Sequence, residues 1–330
     1  MTSATSVLVT EPGDRSVLDV RTHDLPDPGE GEVQIAVAAA GVNFIDVYKR
    51  QGVYPVQTPF VLGEEGAGTV TALGAGVTSL AVGDRVAWCQ QSGSMTTLTN
   101  KPADKVVPVP DGLDLEVAAA AMLQGLTAHY LVTSTYAVGP GDIALVHAAA
   151  GGVGQLLVQM ITATGATVVA TAGSDEKLAV AKALGAHHLV NYSTHSSTEA
   201  LAGAVREAAG RGVDVAYYGV GRSTFDASLA SLRPRGLMVL FGGASGQVPP
   251  VDLQRLNTGG SLFVTRPTLT HYMADREEYE WRSADVLGAI ADGSLALQIG
   301  GRYPLAQAAQ AYDALEGRRT TGKLIVVPAA

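Results

Sequence analysis

The sequence predicts an α/β protein that combines a doubly wound parallel sheet with a β-rich region. Three observations predict this. From about residue 140 to 265, short apolar strands alternate with helix-length segments, the rhythm of βαβ units whose strands are buried on both faces. Residues 1 to about 120 instead show short β-branched runs punctuated by Gly and Pro. Between the first strand and first helix of the alternating region lies a Gly-rich turn, VHAAAGGVGQ, at 146–155.

The elements follow in order. EVQIAVAAAGV (32–42) begins with strand alternation, and GAGTVTALG (66–74) and GDRVAWC (83–89) are strands bounded by Gly turns. LEVAAAAMLQGLTAHYLVTSTY (115–136) is the first long helix. Strands IALVHA, TVVAT, HHLVNY, VDVAYYG, GLMVLFG and SLFVT then alternate with helices over 152–164, 175–184, 198–209 and 224–232. The last stretch pairs helices SADVLGAIADG and PLAQAAQAYDALE with a terminal strand, GKLIVVP. This sets limits of 1–125, 126–265 and 266–330.

Composition narrows the function. A chain of 330 residues, 47% apolar, can build two cores. A net charge of −9 lacks the clustered Lys and Arg that nucleic-acid binding requires. One cysteine, Cys89, permits neither an internal disulfide nor a Cys-rich metal site. The N-terminus MTSATSVLVT has no basic or long apolar region of the signal-peptide kind, and no apolar run has the length of a membrane span. The expectation is a cytoplasmic protein.

The Gly-rich turn fits the dinucleotide fingerprint as Ala149-x-Gly151-x-x-Gly154, with Gly152 and Val153 between the glycines. Gly151 would let backbone approach a pyrophosphate. Gly154 would let the helix pack closely on its strand, and the helix N-terminus offers free N–H groups to phosphate. Alone, the pattern also fits a tight turn without a ligand; its place at the head of a βαβ run favours the nucleotide. Sites for NAD place an acid about 20 residues on, at the tip of the second strand. Here that tip is Thr171-Ala172-Gly173-Ser174, with Lys177 one turn later. A hydroxyl and an ammonium accept a 2′-phosphate that an acid would repel, so NADPH is expected. Asp175 and Glu176 then suit the first turn of a helix, and Tyr192 can flank the same phosphate.

GVNFIDVYKRQGVYP (41–55), GLTAHYLV (125–132), HAAAGGVGQ (147–155), FGGASG (241–246) and VTRPTL (264–269) together resemble the NADPH:quinone oxidoreductases, the zeta-crystallin-like, zinc-independent branch of the medium-chain dehydrogenase/reductase superfamily. The resemblance covers essentially the whole chain. It implies a Rossmann domain inserted into a chaperonin-10-like catalytic domain. It also implies Asn43 at the mouth of the nicotinamide pocket, Tyr48 and Tyr54 on the substrate side, and Thr127 supporting the nicotinamide and ribose. Ser174, Lys177 and Tyr192 match the 2′-phosphate positions. Phe241, Gly242 and Ser245 look like the block beside the middle of the cofactor, Val264 to Arg266 like the strand framing the carboxamide and the dimer edge, and Arg318 like a further phosphate contact. Met95 and Tyr218 depart from the pattern, standing where relatives commonly carry an aromatic and an Asp.

The zinc enzymes of that superfamily use Cys, His and Cys at positions matching Asn43, Glu64 and Leu123. An amide, a carboxylate and an alkyl group make a poor set for a metal that prefers thiolate and imidazole, and no metal site is expected. The adjacent His187 and His188 lie on an expected strand, where they point to opposite faces. Without a Lewis acid, alcohol oxidation loses its means of activating the hydroxyl, whereas an electrophilic quinone needs less help. Positioned donors such as Asn43 and the tyrosines would stabilise the carbonyl oxygen as it gains charge. The expected function is metal-independent quinone reduction by NADPH. Two alternatives stay open: reduction of enals or enones, and a low-turnover NADPH-binding sensor or structural protein. SLFVT, as the last strand of the sheet, would leave an apolar edge, so a homodimer through that edge is expected.

Overall fold

The computed structural model describes every residue except Met1, Ser223, Ser245, Arg318, Arg319, Ala329 and Ala330. It divides into two compact units, Met1–Leu126 with Met273–Ala330, and Thr127–Tyr272.

The first unit begins with a hairpin, β1 (Thr2–Val9) against β2 (Leu18–Leu25). β3 (Glu32–Gly41) is the central strand. Its buried Val33, Ile35 and Val37 alternate along one face and meet Val70, Val86 and Trp88. A short helix, α1 (Phe44–Arg50), leaves the end of β3; the sequence reading had not separated it from the surrounding loop. β4 (Phe60–Val61), β5 (Glu65–Leu73), β6 (Arg85–Cys89), β7 (Leu98–Pro102) and β8 (Val106–Pro108) follow, and then the long helix α2 (Leu115–Tyr130). Together with the wide turn after it, Leu115–Thr135 is long and apolar enough to cross a membrane, but 72% of its apolar window is buried in the protein, as in a core helix.

The second unit is the parallel sheet. Its strands are β9 (Ile143–Val146), β10 (Thr167–Ala172), β11 (His188–Asn191), β12 (Val213–Tyr218), β13 (Leu232–Leu240) and β14 (Phe263–Thr265). Between them lie α3 (Gly152–Ala163), α4 (Asp175–Ala183), α5 (Thr198–Ala209), α6 (Phe225–Ser231) and α7 (Gln254–Thr258). The strand order is β11-β10-β9-β12-β13-β14, and every pairing is parallel. The order reverses between β9 and β12, and ligands of such sheets bind at that crevice, beyond the carboxyl ends of the strands. β14 is an edge, as SLFVT predicted. His187 lies just before β11 rather than in it; its Nδ1 bonds the Val168 N–H at 3.1 Å.

The chain then returns to the first unit with α8 (Arg276–Ala291), β15 (Ile299–Pro304), α9 (Ala308–Glu316) and β16 (Lys323–Val327). β16 pairs antiparallel with β3, so the last strand lands beside the first large one, in the order β15-β16-β3-β5-β6-β8. The return falls after Tyr272, later than the limit at 265. Tyr272 stacks on Tyr130 with ring centroids 4.3 Å apart, and its hydroxyl accepts a bond from Thr135 at 3.2 Å, which keeps the stretch after β14 with the parallel sheet.

Candidate active site

The candidate nucleotide residues lie at the carboxyl ends of β9, β10, β12 and β13. The turn after β9 carries Ala149, Gly151, Gly152, Val153 and Gly154 as one piece. Its left-handed residue is Ala148, at φ +51°, rather than Ala149, the residue in the first-glycine position; Ala149 is fully buried and its N–H bonds the Thr171 carbonyl at 3.1 Å. Gly151 starts α3 with no side-chain cap. At Gly154 a Cβ would stand 2.3 Å from the Ala148 carbonyl oxygen and 2.8 Å from the Ala149 Cα, so only glycine lets the helix close onto the turn.

The turn is fastened from below by His147, buried between two hydroxyls. Its Nδ1 lies 2.8 Å from Thr171 Oγ1 and its Nε2 2.8 Å from Ser228 Oγ. Ser228 Oγ donates its proton to the Thr224 carbonyl at 2.7 Å, so it accepts from Nε2–H, and Nδ1 accepts from Thr171. The ring is therefore a neutral, fully paired imidazole, and burial lowers its pKa to about 4. Tyr218 packs edge-on to His147 with centroids 5.4 Å apart, and its hydroxyl accepts the Thr224 N–H at 3.4 Å.

Ser174, Lys177 and Tyr192 come together after β10 and β11. Ser174 caps α4 by accepting the Lys177 N–H at 3.4 Å. The Tyr192 ring lies against Gly173, where a Cβ would sit 2.7 Å from its hydroxyl. Phe241 and Gly242 pack on Gly219, at the end of β12. Val264 lies on β14, and Arg266 spends its guanidinium on the Leu240 carbonyl at 3.2 Å. Thr127 is buried on α2. Ser245 and Arg318 lie outside the described residues.

A second group of candidate residues lies in the first unit. Asn43 precedes α1 as its N-cap residue. From the third position of the helix the Asp46 carboxylate reaches back to accept the Asn43 N–H at 2.8 Å. Asn43 Nδ2 donates to Glu65 Oε1 at 2.7 Å, and Asn43 Oδ1 accepts from Lys323 Nζ at 2.6 Å. Lys323 also pairs with Glu65 Oε1 at 2.5 Å, and Leu123 N–H donates to Glu65 Oε2 at 2.5 Å. Glu64 points elsewhere, to Lys49 and Ser92, both at 2.6 Å. The loop carrying Ser92 is held by buried Lys101, whose ammonium bonds the Ser92 carbonyl at 2.5 Å; burial lowers its pKa to about 8. Tyr48 and Tyr54 stand edge to face, with centroids 5.6 Å apart. Met95 is fully buried in the core beside Tyr312, so it walls no pocket.

This donor set does not fit zinc. Leu123 offers no side-chain donor, both amide atoms of Asn43 are engaged, and Glu64 is bonded to Lys49 and Ser92. Among the described residues, no three His, Cys, Asp or Glu side chains converge as a metal site would need.

Sequence reasoning missed Glu65, Lys323, Asp46 and His147. A signal existed for Lys323, a charge opening an otherwise apolar, largely buried strand.

Residues 29–142 match the family described as alcohol dehydrogenase GroES-like domain, and residues 152–285 match the zinc-binding dehydrogenase family. A quinone oxidoreductase of Pseudomonas aeruginosa is 42% identical over 319 residues, spanning 96% of this chain and 97% of its own. The chain belongs to the quinone oxidoreductases of the medium-chain dehydrogenase/reductase superfamily. A 2-haloacrylate reductase of Burkholderia is 41% identical over 312 residues, 92% of each chain. A mycobacterial protein solved in complex with NADPH superposes with a TM-score of 0.95 at 47% identity, covering 98% of this chain and 100% of that one.

Proposed function

We propose that this chain reduces quinones by hydride transfer from NADPH, without a metal. The observation that carries the reading is Asn43. Where a metal-dependent relative needs a ligand, a buried amide is fixed by Glu65 and Lys323. An amide donates a hydrogen bond to a carbonyl oxygen as charge develops on it, which an already electrophilic quinone needs and an alcohol does not. Tyr48 and Tyr54 border the acceptor on the same reading.

Bound NADPH supplies the hydride from its nicotinamide. The turn from Gly151 to Gly154 and the N-terminus of α3 hold the pyrophosphate, and Ala149, Gly152 and Val153 shape that turn. Ser174, Lys177 and Tyr192 take the 2′-phosphate, in place of the Glu176 carboxylate that the Ser174 hydroxyl otherwise contacts. Thr127, Phe241, Gly242, Val264 and Arg266 line the rest of the cofactor. The balance is one quinone, one NADPH and one proton from solvent, giving hydroquinone and NADP⁺.

The chain works as a homodimer joined through β14, and in the cytoplasm, where its single buried thiol, Cys89, stays reduced. A second reading, reduction of an alkene conjugated to a carboxylate or carbonyl, is favoured by the 2-haloacrylate reductase, which is as similar to this chain as the quinone enzymes are.

The test is NADPH and NADH oxidation by EDTA-treated protein with 1,4-benzoquinone, 2-chloroacrylate and an enal as parallel acceptors. Quinone turnover that prefers NADPH and survives chelation is expected. Turnover of only the alkenes moves the chain to the second reading. Loss of activity on chelation refutes metal independence, and NADPH binding without turnover refutes both enzyme readings.

A further inference from the structure

Glu65 and Lys323 have no part in the expected chemistry, yet with Asn43 they form a buried, mutually bonded polar group. Both are buried, Glu65 at 0% and Lys323 at 2% exposure. They come from strands 258 residues apart in sequence and meet over Asn43, which is itself 4% exposed. Room for the carboxylate is made by Gly41, where a Cβ would stand 2.0 Å from Glu65 Oε1. Burying such a pair brings little stability by itself, because desolvation offsets most of the attraction.

The geometry fixes one thing uniquely. An Asn amide can usually turn over at little cost, since its two ends are similar in shape. Here Nδ2 faces a carboxylate at 2.7 Å and Oδ1 faces an ammonium at 2.6 Å. Turning the amide over would set carbonyl against carboxylate and NH₂ against ammonium. Glu65 cannot rotate away, because its other oxygen holds the Leu123 N–H. One Nδ2 hydrogen is used by Glu65; among the described residues, none takes the second.

We propose that Glu65 and Lys323 are positioning residues that lock the Asn43 amide in one orientation and so present its second Nδ2 hydrogen to the carbonyl oxygen of the acceptor. This rests on the reading of Asn43 as an acceptor contact. Glu65→Gln tests it sharply. The Leu123 N–H claims the new amide's oxygen, so its NH₂ faces both Asn43 Nδ2 and Lys323 Nζ. Asn43 then has no orientation that satisfies both neighbours.

The experiment is a double-mutant cycle on the holoenzyme, using Glu65→Gln, Asn43→Ala and the double variant, with kcat/KM for 1,4-benzoquinone and Kd for NADPH as readouts. Glu65→Gln alone is expected to lower kcat/KM by about 10–100-fold with NADPH Kd unchanged, the scale set by misplacing one transition-state donor. In the Asn43→Ala background the same change is expected to cost less than about 3-fold. Equal losses in both backgrounds would overturn the positioning role. An Asn43→Ala variant with full activity would overturn the underlying reading of Asn43 instead.

Should Glu65→Gln fail to fold, the unmutated protein gives the answer by NMR. With NADP⁺ bound, the Asn43 side-chain amide is expected to show one slowly exchanging proton, while the other shifts on titration with hydroquinone. Two rapidly exchanging, unshifted protons would overturn the proposal.

Discussion

Asp46 shows how one buried carboxyl sets a pH dependence. Tyr312 Oη donates to its Oδ2 at 2.8 Å and the Asn43 N–H donates to the same oxygen, while Oδ1 has no hydrogen-bond partner among the described residues. Burial, with Glu64 nearby, pushes its pKa up to about 7 from 3.8. Between those values the folded protein holds a proton that the unfolded chain has lost, so this group's contribution is complete below about pH 4 and declines as pH rises to 7. His147 has the opposite sign. Its pKa is lowered to about 4 from 6.5, so its contribution is complete above pH 6.5 and declines as pH falls to 4. Over the shared window the two slopes oppose each other. Asp46→Asn keeps an oxygen for both donors and removes the titration. Its melting temperature is expected to match the parent's near pH 4 and exceed it at pH 8, by about 2–4 °C for each kcal/mol relieved. It should also lose stability more steeply than the parent on acidification from pH 6.5 to 4. A melting difference constant from pH 4 to 8 would refute this account.

At the scale of elements, β9, its Gly turn and α3 separate binding from packing. Gly151→Ala places a Cβ 3.2 Å from the Ala148 carbonyl, a contact that small shifts relieve, whereas Gly154→Ala drives one to 2.3 Å from the same backbone oxygen. Gly151→Ala is therefore expected to change stability by less than about 1 kcal/mol while weakening NADPH at least about 10-fold by crowding the pyrophosphate. Gly154→Ala should weaken NADPH and also cost about 1–3 kcal/mol, as overpacking does. Fluorescence titration and thermal melts separate the two, and parental NADPH affinity in Gly151→Ala would refute its role. This element was legible because its information is local: strand, glycines and helix are contiguous. α1 was not, because a seven-residue helix starting at Phe44 shows too few turns for a periodic pattern, and its start is set by Asp46 reaching back to Asn43. The Asn43 lock was illegible for another reason. Lys323 is 280 residues from Asn43, and only the antiparallel pairing of β16 with β3 brings them together. Position 43 was found by likeness to a family block; the groups that orient it lie in segments whose own patterns say only strand.

For the whole molecule, the open question is what covers β14. It is the last strand of the parallel sheet and, among the described residues, pairs only with β13. Its Phe263 is 59% exposed and Val264 39% exposed, although an exposed apolar edge is a template for unwanted pairing. A chain of net charge −9 repels its own copies at long range, so association has to come from a short-range patch of this kind. A two-fold axis at the β14 edge would pair the strand with its own copy and bury both phenylalanines at once. Phe263→Lys places a charge at that contact, the device by which natural edge strands avoid pairing. Sedimentation equilibrium is expected to give a dimer for the parent and a monomer for Phe263→Lys at micromolar concentration. NADPH affinity should be retained, because Phe263 lies outside the groups assigned to the cofactor. A parent that sediments as a monomer would show that the edge is left open, and a Phe263→Lys variant that remains a dimer would move the contact to another face.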